Sequence, residues 1–121
     1  MRVVNIGSQR FTKVVSNDEQ GPGNAYHQYS VETEPQTADS PVAVYAQVSF
    51  QKGGVGVVGV NGCHNEDLIA IVIDRLQCFQ SSAFSCRENA LALTKLEEAL
   101  HWLNSRTKER QNRGVEGTHA V

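Results

Sequence analysis

The sequence predicts an α+β fold in which an N-terminal antiparallel β-sheet precedes two long C-terminal α-helices that form an antiparallel hairpin. Two observations predict it. Short β-branched runs between turn residues fill positions 1–60, and capping signals with apolar repeats fill positions 64–113. The 121 residues suit a single domain, with a β-rich part at 1–60, a helical hairpin at 64–113 and a tail at 114–121.

The β-rich part contains a series of candidate strands joined by glycine, proline and polar residues. They are Val3–Ile6, Phe11–Val15, Tyr26–Val31, Val42–Phe50 and the short Val55–Val60. No helical segment lies between them to make a parallel crossover, so the sheet is predicted to be antiparallel.

Glycines 54, 56 and 59 match the pattern G-x-G-x-x-G. That motif binds dinucleotides only where a helix follows the glycines directly within a βαβ unit. Because the Asn61-Gly62 turn intervenes, we interpret the stretch as a glycine-rich hairpin without a nucleotide-binding role.

The first helix is predicted from an N-cap at Asn65 to about Gln80, with two acidic residues in its first turn. The apolar residues of this stretch would also suit a buried strand, but length and capping favour a helix. The second helix is predicted from a capping box, Ser85-x-x-Glu88, to Arg113, where Gly114 offers a C-terminal stop.

The second helix carries a leucine seam, defined by leucines 93, 96, 100 and 103, at the spacing of a coiled coil. The same spacing reaches Asn89 before the leucines, and Thr107 and Arg110 after them. Either Asn89 fixes the packing register and Arg110 marks a fraying end, or these polar residues belong to a site. Such a helix is about 42 Å long, whereas a compact chain of this size is roughly 35 Å across. We therefore expect a homo-oligomer built through the helices.

The charge balance restricts the classes of ligand. Eleven basic and 13 acidic residues give a net charge of −2, which argues against long nucleic acid or an anionic membrane but permits a small phosphorylated ligand. No apolar run approaches the length of a membrane span, and the N-terminus does not resemble a signal peptide. Three cysteines without C-x-x-C spacing fit a reduced, cytoplasmic protein.

The end of the second helix carries the best candidate site. Arg106, Arg110 and Arg113 lie at positions i, i+4 and i+7, hence on one helix face. They offset the helix dipole, yet three cations repel one another unless an anion lies between them, and guanidinium groups match phosphate oxygens. Phe79, at the end of the first helix, is either a core residue or a stacking platform for a base.

No catalytic constellation emerges from the remaining polar residues. The four histidines, His27, His64, His101 and His119, are scattered without zinc-site spacing. Glu97 and Glu98 are adjacent and point in different directions from the helix. We predict no catalytic residue, no metal and no cofactor.

From Phe50 onward, the residues form a series of segments in a specific order and spacing. They are Phe50-Gln51-x-Gly53, Gly59-Val60-Asn61-Gly62, Asn65-Glu66-Asp67-Leu68, Arg75-Leu76-Gln77-x-Phe79-Gln80, Cys86-Arg87-Glu88-Asn89-Ala90, Trp102-Leu103, Arg106-Thr107, Arg110 and Gly114-x-Glu116-Gly117-Thr118. In these segments the chain resembles the first-described family of Thoeris anti-defence proteins, made by bacteriophages.

The resemblance implies a sponge in the host bacterial cytoplasm. Proteins of that family hold glycocyclic ADP-ribose, a signal made by TIR-domain defence proteins, without cleaving it, and some bind cyclic di- or trinucleotides at a separate site. They assemble as helix-mediated dimers grouped into hexamers. The family's binding roles fall on Phe79 as base-stacking wall, on Asn89 as polar contact, and on Arg106 and Arg110 as phosphate contacts. Two rival functions stay open: a small cyclic-nucleotide phosphodiesterase, and a helical interaction protein that blocks a host factor.

Overall fold

The structure, a computed structural model, describes residues 1–120. The chain divides into two compact units, Met1–Cys63 and a second that begins at His64. The predicted change from β-rich to helical structure falls at this boundary. Val121, the last residue of the predicted tail, lies outside the described residues.

The first unit is built on a four-stranded antiparallel sheet with the order β1-β2-β3-β4, which confirms the predicted antiparallel arrangement. The strands are β1 at Arg2–Val3, β2 at Thr12–Ser16, β3 at Gln28–Thr33 and β4 at Val44–Ser49. Val15 opposes Ser30 across the β2–β3 pair, and both side chains are buried. Each strand pairs with the strand before it in sequence, through loops at residues 4–11, 17–27 and 34–43.

The predicted strand boundaries are partly wrong. Of the run Val3–Ile6 only Val3 lies in β1, and the other three strands are shifted or shortened by one or two residues at their ends. The loop after β2 contains a short 3₁₀ turn at Pro22–Asn24.

The fifth predicted strand and the predicted glycine-rich hairpin are both wrong. Val55–Val58 form α1, a single helical turn that ends at Gly59 with a positive φ of 78°. The side chain of Gln51 explains the fold of this loop, since its amide nitrogen donates to the carbonyls of Gly53 (3.1 Å) and Gly59 (2.8 Å). Bringing these two carbonyls to one amide closes the segment on itself, so its backbone is not extended for pairing with the sheet. Among residues 1–120 all pairings between the four strands are antiparallel, and the loop is flanked only by an isolated parallel bridge between Phe50 and Cys63. A single helical turn beside one bridge is not the strand–helix–strand unit that the dinucleotide motif requires.

The second unit contains the two predicted long helices, α2 at Asn65–Gln80 and α3 at Arg87–Asn112, which pack against each other. Six residues join them, and this connection is folded rather than extended, because the Ser82 N–H donates to the Phe79 carbonyl and the Ser85 N–H donates to the Ser82 carbonyl. A folded connection of this length is too short to return along α2, which is about 24 Å long. The helices therefore form an antiparallel hairpin.

Both predicted N-caps are one residue away from the observed ones. The N-cap of α2 is His64, not Asn65, and the carboxylate of Asp67 accepts the His64 backbone N–H at 2.8 Å. The N-cap of α3 is Cys86, not Ser85, and its Sγ accepts the backbone N–H of Asn89 at 3.4 Å. The C-terminal stop at Gly114 is confirmed, with a φ of 71° one residue after the C-cap.

The leucine seam is confirmed as the inner face of α3. Its leucines are all partly buried, as are Asn89 and Thr107, and Arg110 is buried. On α2 the partly buried residues include Ile69, Ile73, Leu76 and Gln80, which recur at spacings of three and four. Two such stripes facing each other give coiled-coil-like packing along the hairpin.

Candidate functional site

The connected end of the hairpin, where α2 passes into α3, holds Phe79 in the last turn of α2. Its ring is partly buried and meets the ring of Phe84 edge to face, with the centroids 6.4 Å apart. The guanidinium carbon of Arg75 lies 5.0 Å from the centroid of the Phe79 ring, within the range of a cation–π contact. Phe79 is thus an anchored aromatic ring with a positive charge beside it.

Gln80 fixes the connection between the helices. Its side-chain oxygen accepts the Cys86 backbone N–H at 3.0 Å, and its amide nitrogen donates to the Cys86 carbonyl at 3.0 Å. This paired bond makes Cys86 the last extended residue before α3, which explains why the capping signal at Ser85 is not used. Asn89 follows within the first turn of α3, so Phe79 and Asn89 both lie at the connected end.

The far end of α3 carries the three predicted arginines. Arg106 is exposed, whereas Arg110 is only 9% exposed. The Nη2 group of Arg110 donates to the backbone carbonyls of Val115 (3.0 Å) and Thr118 (3.4 Å) in the tail. The interpretation of Arg110 as a fraying helix end is therefore wrong, because the tail folds back and covers it.

Arg113 is in a different situation from Arg110. It is the C-cap of α3, and its Nε lies 2.5 Å from a carboxylate oxygen of Glu109, four residues earlier. The carboxylate of Glu109 thus offsets part of the electrostatic repulsion expected among the three arginines. Within residues 1–120, no carboxylate forms an ion pair with Arg106 or Arg110.

The predicted site residues thus fall into two groups at opposite ends of the hairpin. At 1.5 Å per residue, Asn89 lies about 26 Å from Arg106 and about 32 Å from Arg110 along α3. A ligand pocket at the upper end of the usual range, 1,000 Å³, is only about 12 Å across. One chain therefore does not bring Phe79 and Asn89 together with the arginines. Whether these residues bind a ligand stays a prediction.

A second group of polar residues lies in the first unit. His27 is 6% exposed, and its Nδ1 is buried without a hydrogen-bond partner among the described residues. A Cβ on Gly21 would lie 3.5 Å from this Nδ1 and 3.2 Å from Cε of Lys52, so the three residues converge. Asp18 holds the loop, since its carboxylate accepts the backbone N–H groups of His27 (3.0 Å) and Gln28 (3.2 Å). Burial alone would raise the pKa of Asp18, but the hydrogen bonds from the His27 and Gln28 backbone lower it by more. The net result is a pKa below the ordinary value of 3.8.

Residues 1–120 contain neither a metal-binding cluster nor a membrane-spanning helix. No group of three or more His, Cys, Asp or Glu side chains is arranged so that it could hold a metal ion. None of the helices formed by these residues has the length and apolar character that crossing a membrane would require.

The sequence reasoning missed three contributors to these groups of residues. Arg75 lies one turn before Phe79, and this i, i+4 spacing was the available signal for its ring contact. Gln80 and the tail carbonyls act through backbone hydrogen bonds, for which side-chain patterns give no signal.

The fold and the site together define a helical-hairpin protein with candidate ligand contacts at both ends of the hairpin. The chain belongs to the family described as Acb2/Tad1, hairpin domain, whose model matches residues 43–108, more than half of its length. The matched region includes β4, α2 and most of α3, and it ends just before Arg110 and Arg113. This confirms the family resemblance that the sequence segments indicated.

The chain is also similar to a protein named Thoeris anti-defense 1 from Bacillus phage SBSphiJ7. The two are 69% identical over 74 residues, which is 61% of this chain and 52% of the relative. The chain thus spans about half the length of the curated relative that it matches.

Proposed function

We propose that the protein is a phage anti-defence sponge that sequesters a cyclic ADP-ribose isomer, glycocyclic ADP-ribose, and thereby keeps the Thoeris effector inactive. The family membership and the name of the relative support the anti-Thoeris role. Sequestration is proposed as binding without cleavage, so no residue of the site is given a catalytic role.

The observation that carries the proposal is the environment of Arg110. Arg110 is 9% exposed and hydrogen-bonded to neutral carbonyls, so within residues 1–120 its cation lies in a place of low dielectric without an ion-pair partner. Such a charge is costly unless an anion joins it, and the diphosphate of a cyclic ADP-ribose isomer is an anion of suitable geometry for guanidinium groups. Arg106, one turn earlier and exposed, is the second proposed phosphate contact.

The separation of the two groups supports a site shared between two copies. If two hairpins pack side by side in opposite directions, the connected end of one copy lies beside the far end of the other. Phe79 and Asn89 of one copy would then hold the base, while Arg106 and Arg110 of the other hold the phosphates. Arg113 is proposed at the edge of this site, where Glu109 already balances its charge. A two-fold pair of copies would contain two equivalent sites.

The poor burial of apolar side chains supports assembly of several copies. The chain is 40% hydrophobic, yet among residues 1–120 only Val15 is a buried hydrophobic residue. On the hairpin, Ile71 and Trp102 are each 64% exposed, and Leu91 lies on the same face of α3 as Trp102, three turns away. Burying such side chains against a second hairpin removes apolar surface from water, which stabilises a dimer that could group further into a hexamer.

If the protein is a sponge, the bound ligand is released intact when the protein is denatured. Protein is incubated with glycocyclic ADP-ribose, passed through a desalting column, and heated to denature it, and the supernatant is analysed by mass spectrometry. We expect the unchanged ligand at close to one equivalent per chain, because two copies form two sites. Recovery of a cleaved product would instead indicate a phosphodiesterase. Absence of any nucleotide after desalting would favour the helical interaction protein.

A second ligand is proposed for the first unit on a separate observation. The unpartnered Nδ1 of His27 and the Lys52 side chain both lie beside Gly21, and a phosphate oxygen placed there would accept a hydrogen bond from the ring while it neutralises the ammonium group. This supports the proposal that cyclic di- or trinucleotides are also sequestered, at a site distinct from the hairpin. The heat-release assay repeated with these nucleotides tests it.

A further inference from the structure

We infer that the C-terminal tail, residues 114–118, is part of the hairpin ligand site because it holds the guanidinium group of Arg110 in its binding position. The inference rests on the proposed function and extends it from the helices to the tail. Arg110 is the group that contacts the ligand, and the tail is a positioning element.

The tail reverses direction immediately after α3. Gly114 has a φ of 71°, a left-handed conformation that lets the chain turn back, and the Val115 N–H then donates to the Arg110 carbonyl at 3.0 Å. This turn brings the carbonyls of Val115 and Thr118 to Nη2 of Arg110, at 3.0 and 3.4 Å. The same short segment thus binds both the backbone and the side chain of Arg110.

Neutral acceptors suit this positioning role better than a carboxylate would. A carbonyl orients the guanidinium group through hydrogen bonds but leaves its net charge available to an anion, whereas a carboxylate would cancel it. Arg113, paired with Glu109, gives the contrasting arrangement on the same helix end. With Nη2 held by the tail, the remaining donors of Arg110 can face a phosphate without the entropy cost of ordering a free side chain.

The tail also stabilises its own turn. The hydroxyl of Thr118 donates to the Val115 carbonyl at 2.5 Å, and the Thr118 N–H donates to the same carbonyl at 3.1 Å. The Thr118 hydroxyl in turn accepts the Ala120 N–H at 3.2 Å. A second glycine with positive φ, Gly117 at 72°, completes the reversal. These bonds make residues 114–118 a folded element able to hold Arg110.

The test changes Gly114 and leaves Arg110 in place. Gly114→Val puts a β-branched residue where φ is positive, which strains the turn that returns the tail to Arg110. Gly114→Asn is the matched control, since asparagine tolerates this conformation, and a Cβ at Gly114 meets no atom within 4 Å. We expect Gly114→Val to weaken the binding of glycocyclic ADP-ribose by between about twofold and tenfold, the cost of ordering one flexible side chain. Gly114→Asn should bind as the unchanged protein does.

Two further measurements distinguish the loss of Arg110 positioning from the loss of its charge and from a general loss of folding. Because Gly114→Val keeps the cation, the salt dependence of the dissociation constant should stay as in the unchanged protein, while Arg110→Met should reduce it. In the ligand-free protein, the Arg110 side-chain Nε–H signal in an NMR spectrum should be distinct, and Gly114→Val should shift it toward the position of free arginine.

The outcomes distinguish the inference from the proposed function. If the unchanged protein binds no glycocyclic ADP-ribose, the proposed function fails, and the assignment of the tail to a ligand site fails with it. If the unchanged protein binds and Gly114→Val binds equally well, the proposed function stands and the inference about the tail is overturned. An Arg110 signal that does not respond to Gly114→Val would also overturn it.

Discussion

Replacing Arg110 by methionine is expected to weaken the binding of glycocyclic ADP-ribose by roughly a hundredfold or more. The substitution removes a buried cation that is proposed to contact the diphosphate, and loss of one partner of a buried, hydrogen-bonded charge pair has a cost in this range. It also removes the donor for the carbonyls of Val115 and Thr118, so the tail loses its attachment to the helix. Methionine keeps an apolar stem on the packing face, which should preserve the hairpin.

Titration calorimetry measures this loss, and Lys108→Met is the matched control. Lys108 is exposed on the same end of α3 but lies on another face, so its loss changes the net charge equally without touching the proposed site. We expect the control to bind within about twofold of the unchanged protein, since a single exposed charge contributes little. Equal affinities for Arg110→Met and Lys108→Met would mean that Arg110 does not bind the ligand.

Replacing Phe79 by leucine is expected to weaken ligand binding by about fivefold to 150-fold, because stacking a base on an aromatic ring contributes about 1–3 kcal/mol. Leucine retains most of the apolar volume but removes the π face, along with the ring contacts to Phe84 and Arg75. Circular dichroism and a melting curve would check that the hairpin still forms.

Phe79→Tyr is the control for this second substitution, since it keeps the ring. We expect it to bind nearly as tightly as the unchanged protein, because Phe79 is only partly buried and the added hydroxyl leaves the π face in place. Should Phe79→Leu retain full affinity, Phe79 would be a packing residue of the hairpin alone, and its assignment as the stacking wall would be wrong.

The helical half of the fold was well predicted because its signals are local and periodic. Leucines at spacings of three and four identify a helix face, and Gly114 marks the end of α3 by its conformational freedom. The N-caps were predicted less accurately, since the start of α3 depends on a pair of hydrogen bonds between the Gln80 side chain and the Cys86 backbone. Such a contact between the end of one helix and the start of the next has no periodic signature.

The glycine-rich loop after β4 was mispredicted for a similar reason. Valines at 55, 57 and 58 favour a strand by propensity, but the side chain of Gln51 closes the loop and stabilises a helical turn instead. Tertiary hydrogen bonding from one side chain thus outweighs the local preference of three residues.

The candidate site was predicted in its residues and not in its geometry. The spacing in the sequence places three arginines on one helix face: Arg106, Arg110 and Arg113. The burial of Arg110 under the tail could not be predicted in this way, because it depends on a chain reversal beyond the helix. The same spacing does not distinguish Arg110, held by carbonyls, from Arg113, paired with Glu109. Placing Phe79 and Arg110 at opposite ends of one hairpin requires knowledge of the antiparallel packing, and it is this separation that supports a site shared between copies.

The most direct test of the shared site is complementation between two defective variants. Phe79→Leu and Arg110→Met, carrying different tags, are co-expressed, and the number of high-affinity sites for glycocyclic ADP-ribose per chain is measured. A mixed pair contains one copy of each variant and two shared sites. One site receives both substituted residues, and the other receives the intact Phe79 from one copy and the intact Arg110 from the other. Random pairing therefore predicts about one quarter of the sites of the unchanged protein, at unchanged affinity. A mixture that binds no better than the two variants measured separately would contradict the account, because it would place each complete site within a single copy.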